Sequence, residues 1–147
     1  MVPEMGAHQT VKHHDLIAQL RTAGHENVDY ITQYADTAQH WDAMCELIAP
    51  QGRIGTIVET SEKLDISALQ GKPAALMWEL MFTQSLFGTA DMARQGRILS
   101  RVARLVDGGI IRTTEQKTRH GLSATKIKEA HAIIETGRMI GKLVVAN

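Results

Sequence analysis

Apolar residues along this chain change their period several times, and the sharpest change lies in ELIAPQGRIGTIVE, residues 46–59. Before it, Trp41, Met44, Cys45 and Ile48 fall at i, i+3, i+4 and i+7, the spacing of one helical face. Pro50 predicts the end of that helix and Gly52 a turn. Arg53–Val58 (RIGTIV) then reads as a buried strand. A helix that turns back so quickly into a strand is the second half of a β-α-β unit, where such joints run to about two to six residues.

The same reading extends to both sides. HQTVKH, residues 8–13, predicts a short strand. Asp15 can cap a helix through about Ala23, with Leu16, Ile17 and Leu20 on its apolar side and Gly24 just past its end. Asn27–Thr32 (NVDYIT) is β-branched and aromatic enough for a strand. Residues 59–73 are polar and mixed. Ala74–Phe82 (AALMWELMF) is two-sided: Trp and Phe favour a strand, whereas Ala, Leu, Met and Glu favour a helix. Asp91–Val106 predicts a helix with Leu99, Val102, Ala103 and Val106 on one face, stopped by Asp107-Gly108-Gly109. Ile110–Thr114 (IIRTT) predicts a strand, followed by a polar stretch over 115–121. Ser123 can cap a last helix with Ile127, Ala130, His131 and Ile134 on its face. Gly137 ends that helix, and GKLVVAN predicts a closing strand. Helix and strand alternate almost throughout, which points to an α/β layer with a mainly parallel sheet.

Composition narrows the class. At 147 residues the chain is domain-sized and can bury a real core. Apolar residues are 44% and charged residues 22%, a globular rather than a disordered balance. Sixteen basic residues match sixteen acidic ones, so no bulk field draws in nucleic acid or anionic lipid. Arg94, Arg97, Arg101 and Arg104 form a stripe at helical spacing, and a solvated face is its default reading. Cys45 is the one cysteine, so no internal disulfide forms; a reducing, cytoplasmic setting is expected, with Cys45 as a small core residue. No signal-peptide pattern opens the chain, and no apolar run approaches the roughly 20 residues of a membrane span.

Motif chemistry is sparse. There is no G-x-G-x-x-G, no G-x-x-x-x-G-K-[ST] and no G-x-S-x-G. Gly52 and Gly55 sit before and inside a strand, whereas a phosphate-gripping turn lies between a strand and a helix. The seven histidines are scattered or, at His13-His14, adjacent and divergent. With one cysteine and no H-x-x-x-H, no metal site is expected.

Three stretches go further: ELIAPQGRIGTI, WELMFTQSLFGTADMARQGRILSRVARLVDGGIIRTT and KEAHAIIETGRMIGKLVV. Together they resemble the C-terminal half of zinc-type alcohol dehydrogenase-like proteins, in the quinone oxidoreductase branch of the medium-chain dehydrogenase/reductase superfamily. The similarity runs from Glu4 to the end, and Trp78–Thr114 is its most specific part. The fold it implies is a partial Rossmann-like three-layer sandwich with a mainly parallel sheet, lacking the first βαβ unit. Residues 1–120 would be a truncated nucleotide-binding domain. Residues 121–147 would be the helix and strand that in the family return to the catalytic domain. MGAHQTVKH would be the third nucleotide-domain strand, VDYIT the fourth, GRIGTIV the fifth and Ala74–Phe82 the sixth.

The resemblance also implies a cofactor, NADP(H), and where it would lie. Lys12 and His13 would meet its adenosine end. Ile57, Val58 and Glu59, with Phe82 and Thr83, would face the nicotinamide side. Gln33, Tyr34, Ala35 and Asp36 replace the small residue and glycine usual after the fourth strand, and would crowd the site. With no glycine fingerprint to hold the diphosphate, cofactor binding is expected to be weak or absent and no catalytic residue is assigned. The chemistry implied is NADPH-dependent reduction of a quinone or enone, with little activity in this chain alone. The implied partners are a second copy, paired through the edge strand Ala74–Phe82, and a complementary N-terminal half. A non-catalytic dimerisation or partner-binding module is the alternative, and a relict fragment is a third reading. No membrane or nucleic-acid partner is expected.

Overall fold

In the computed structural model, which describes residues 2–147, the ELIAPQGRIGTIVE stretch has no connecting loop at all. Helix α2 (Thr37–Leu47) ends at Leu47, and strand β2 (Ile48–Thr56) starts at the next residue. The Ile48 amide still donates to the Met44 carbonyl of α2 while Ile48 already has extended backbone angles. Ile48 therefore joins strand rather than helix. Pro50, Gln51 and Gly52 are absorbed in a bulge: Val28 pairs with Ile48 but Tyr30 with Arg53. A bulge is where a sheet tolerates proline, because no ladder donor is missed there. Gln51 takes the left-handed backbone (φ 65°) and donates its amide to the Pro73 carbonyl at 2.6 Å.

Strands β1 (Val28–Gln33), β2 and β3 (Ala75–Trp78) form a parallel sheet in the order β1-β2-β3. Helix α1 (Leu16–Thr22) precedes it, a 3₁₀ turn at Ile66–Leu69 lies between β2 and β3, and a short α3 (Thr83–Phe87) follows. The core sits on one face of this sheet. Ile48 and Ile54 are fully buried and pack with Trp41, Met44, Cys45 and Leu69; Ile31, Leu64, Ala74 and Leu76 close around them. The Trp41 indole donates to the Asp65 carbonyl at 3.2 Å, which satisfies its one polar atom and fixes the 3₁₀ turn over the helix.

These elements belong to one compact unit, Met1–Met92; a second is Ala93–Asn147. In the second, α4 (Arg94–Asp107) precedes β4 (Glu115–His120), α5 (Ala124–Glu135) and β5 (Lys142–Ala146). Strands β4 and β5 pair in parallel across α5, another β-α-β unit. Ser123 caps α5, its Oγ accepting from the Lys126 amide at 3.3 Å, and Ala130 is the buried residue of that helix. Leu99 and Val102 of α4 remain exposed.

Parallel pairing and helix-strand alternation agree with the sequence reading, but four local expectations need correction. Residues 8–13 are not a strand. No described strand lies alongside them; instead the Lys12 amide donates to Gln19 Oε1 at 3.0 Å, and Gln19 Nε2 returns a bond to the Lys12 carbonyl, tying the segment to α1. Asp15 precedes α1 in the left-handed region (φ 55°) without a side-chain cap bond. Strand β3 is shorter than Ala74–Phe82, because Met81 and Phe82 already turn into α3. Ile110–Thr114 is not a strand; the polar Glu115–His120 is, because backbone pairing with β5 decides it and every β4 side chain faces solvent.

Candidate functional site

In open parallel sheets the ligand crevice lies outside the carboxyl ends of the strands. Here those ends are held in register by backbone bonds. The Ile57 amide donates to the Gln33 carbonyl of β1 at 3.4 Å, and the Glu79 amide after β3 donates to the Thr56 carbonyl of β2 at 2.9 Å. Residues 57–59 thus emerge between the ends of β1 and β3.

A closed ring of hydrogen bonds fixes that exit. Thr37 Oγ1 donates to the Val58 carbonyl at 2.6 Å. Having used its proton, it accepts from Thr56 Oγ1 at 2.7 Å. Thr56 Oγ1 in turn accepts from the Val58 amide at 3.4 Å. Both threonines are fully buried, so this satisfied ring replaces what would otherwise be costly bare polar atoms. It also ties the first turn of α2 to the end of β2. Asp36 caps the same helix, accepting from the Gln39 amide at 2.9 Å.

Around the ring, the residues named from sequence fall into two groups. Ile57, Val58 and Glu59 sit on the rim, with Ile57 about half exposed. Phe82 and Thr83 come shortly after β3: Phe82 is exposed, and the Thr83 hydroxyl donates to the Leu80 carbonyl at 2.7 Å. Lys12 and His13 belong elsewhere, beside α1 and α2. The His13 ring centroid is 3.9 Å from that of His14 and 6.5 Å, edge-on, from that of His40. His13, Asp15, Leu16, Arg21 and His40 line an open cleft of about 620 Å³ between the two helices. Arg21 closes one side by pairing with Glu46 of α2; that pair holds the Glu46 carboxyl below its ordinary range and the Arg21 guanidinium above its own.

Gln33 is the residue the sequence reading undervalued. Its side chain is buried and turned onto its own loop, accepting from the Ala35 amide at 2.8 Å and donating to the Asp36 carbonyl at 2.9 Å. It does not hang into the crevice; Tyr34 stands exposed beside it. The segment Gln33–Asp36 therefore forms a self-satisfied corner. Its signal in the sequence is a side-chain amide followed closely by the helix-capping Asp36. Cys45 lies on the core face of α2, and burial, then Asp42 and Asp65, push its thiol above the ordinary range. Such a thiol is a poor nucleophile.

Residues 5–145 match the family described as Zinc-binding dehydrogenase. The chain belongs to this family. A zinc-type alcohol dehydrogenase-like protein of Staphylococcus epidermidis is 34% identical over 142 residues, 96% of this chain and 42% of that protein. Counterparts in Staphylococcus aureus are 34% identical over 143 residues, 97% of the chain and 43% of theirs. A provisionally named zinc-dependent alcohol dehydrogenase from Rhizobium etli CFN 42, 37% identical, superposes with a TM-score of 0.89 over 99% of this chain and 43% of its own. A more distant NAD-dependent alcohol dehydrogenase, 19% identical with a TM-score of 0.72, shares the fold. The chain thus spans less than half the length of these relatives and corresponds to the C-terminal part of the medium-chain dehydrogenase/reductase architecture, with its parallel, Rossmann-like sheet.

The described residues of this portion do not fit zinc. Among the described residues no group of three or more His, Cys, Asp or Glu side chains could hold a metal ion. Nor does any described helix have the length and apolarity to cross a membrane.

Proposed function

We propose that this chain supplies the nicotinamide-side wall of an NADP(H)-dependent reductase acting on a quinone or enone. The observation that carries the reading is the rim itself. Three parallel strands end together, and the Thr37–Thr56–Val58 ring presents Ile57–Glu59 in a fixed position where this sheet type takes its ligand. When bound, the cofactor would supply hydride to the acceptor. The chain's own residues would orient it: Ile57 and Val58 offer an apolar flank, Phe82 and Thr83 the facing side, and Lys12 and His13 the adenosine end. The sequence has no glycine-rich turn between a strand and a helix, so the diphosphate has no backbone cradle here.

Calorimetric titration tests this directly. The isolated chain is expected to bind NADPH with Kd weaker than about 100 µM, equivalent to less than about 5.5 kcal/mol. It should oxidise NADPH with a quinone no faster than the buffer control. Tight binding, or turnover by purified chain, would show that the rim suffices without the cradle.

The outer edge of β3 supports a second element of the same proposal. In the order β1-β2-β3 that strand is an edge, and its unpaired groups can be satisfied by a second copy. Light scattering at tens of micromolar is expected to give twice the chain mass of 16.2 kDa. A monomer at that concentration refutes the pairing.

A further inference from the structure

Among the 14 residues of helix α4, all of them described, none is buried. Helices in folded domains are held mostly by burying an apolar stripe, because propensity alone leaves a short helix marginal. Helix α4 has such a stripe: Ile98, Leu99, Val102, Leu105 and Val106 recur at helical spacing on one side. Yet Ile98 is 51% exposed, Leu99 63% and Val102 42%. The turn that follows prolongs the stripe. Gly109 is left-handed (φ 67°), and the Ile110 amide folds back to donate to the Leu105 carbonyl at 2.9 Å. Ile110 is thereby set beside the last turn, and it is 75% exposed. The Gly108 and Gly109 amides donate to the Arg104 and Val106 carbonyls, so three carbonyls near the helix end are satisfied from within the chain. A helix end closed in this way can approach a medium poor in hydrogen-bond donors.

Charge stands next to the apolar stripe. Arg94, Arg97, Arg101 and Arg104 recur every three or four residues, and all four are exposed. Arg94 lies one turn from Ile98, and Arg101 one turn from Leu105. Between Arg94 and Arg112 the sequence has five arginines and one acid, Asp107, although the chain as a whole is neutral. A helix whose arginines are merely solvated buries its apolar side; here the apolar side is open as well. The partner that satisfies both rows is negative at its surface and apolar just beneath it. Nucleic acid supplies the phosphate alone. It would leave Ile98, Leu99 and Val102 in water, and α4 carries no aromatic ring on which a base could stack.

We infer that α4, together with Ile110, docks on the anionic face of a lipid bilayer. The helix is about 21 Å long and lies along the surface rather than across it. Ile98, Leu99 and Val102 enter the boundary between headgroups and acyl chains. The arginines reach from its flank to lipid phosphate and carboxylate groups, their stems lying on the apolar boundary. This surface is independent of the reductase reading of the strand-end rim.

Co-sedimentation of the full chain with vesicles tests the inference. The chain is expected to pellet with vesicles of phosphatidylcholine and phosphatidylserine in equal parts, and to stay in solution with phosphatidylcholine alone. High salt should release it by screening the arginines. Arg97→Glu combined with Arg101→Glu should weaken binding at least about tenfold, because each basic group near such a surface adds to the attraction. Leu99→Ser should weaken it at least about fivefold through lost apolar burial. All three positions are exposed, so the Tm of each variant should stay within about 3 °C of wild type. A second readout uses the chain with Leu99→Trp alone: brominated acyl chains in the anionic vesicles should quench the added indole, beyond any quenching of the wild-type chain. Absence of binding to anionic vesicles, equal binding to neutral ones, or binding unchanged by either set of substitutions overturns the inference. So does an added indole that the brominated chains leave unquenched. Self-association that Leu99→Ser abolishes, in place of vesicle binding, would assign the stripe to a second copy and overturn it too.

Discussion

Ile54→Ala is expected to destabilise the first unit by about 2–5 kcal/mol. Ile54 is fully buried in the middle strand and lies under Trp41, Met44, Cys45, Ile48 and Leu69. Its removal leaves a cavity that α2 cannot collapse into, because that helix runs directly into β2 at Ile48. A domain of this size has only about 5–15 kcal/mol in hand, so the loss is a large share of the total. Urea unfolding followed by tryptophan fluorescence measures it, through buried Trp41 and half-exposed Trp78 of the same unit. A midpoint within error of wild type would mean that the α2 face is not the core.

Gly141→Ala is expected to act on the other unit. Gly141 has φ +80°, and a Cβ there would lie 2.4 Å from the Thr114 carbonyl oxygen and 2.5 Å from Gln116 Cγ. That carbonyl accepts the Lys142 amide at 2.7 Å, the bond that opens the β4–β5 pairing. The substitution therefore combines left-handed strain of about 1–2 kcal/mol with a backbone clash of about 1–3 kcal/mol. Hydrogen exchange of the Glu115–His120 amides should speed up at least tenfold, in proportion to lost protection. Gly6→Ala is the control: φ is +99° there too, but no atom lies within 4 Å, so only strain remains. Equal effects at the two positions would remove the clash from the account.

How much of this was legible beforehand depends on which force set each element. Helix α2 was readable because burial set it: Trp41, Met44 and Cys45 repeat at the helical period and all three are buried. Strand β4 was unreadable because backbone pairing set it, and a fully exposed strand of Glu, Gln, Lys, Thr, Arg and His has no apolar rhythm. Residues 8–13 show the converse. Their composition allows a strand, but a strand needs a neighbour, and Gln19 captures the Lys12 backbone instead. The position of Ile57–Glu59 just past a strand end was legible because β2 itself was predictable. The ring that fixes them was not, because Thr37 and Thr56 are 19 residues apart and nothing local signals that their hydroxyls meet. Gln33 was misjudged for a similar reason: its bulk is plain in the sequence, but its orientation is set by the Ala35 amide and the Asp36 carbonyl.

Helix α2 is fastened to the same strand at both of its extremities, through Thr37 at one and through chain continuity at Ile48 at the other. It works like a bow strung on β2. Neither piece can slide or roll without the other, so the exit at Ile57–Glu59 is preset before any ligand arrives. On the proposed reading, a ligand at that exit would forfeit little entropy in arranging this wall.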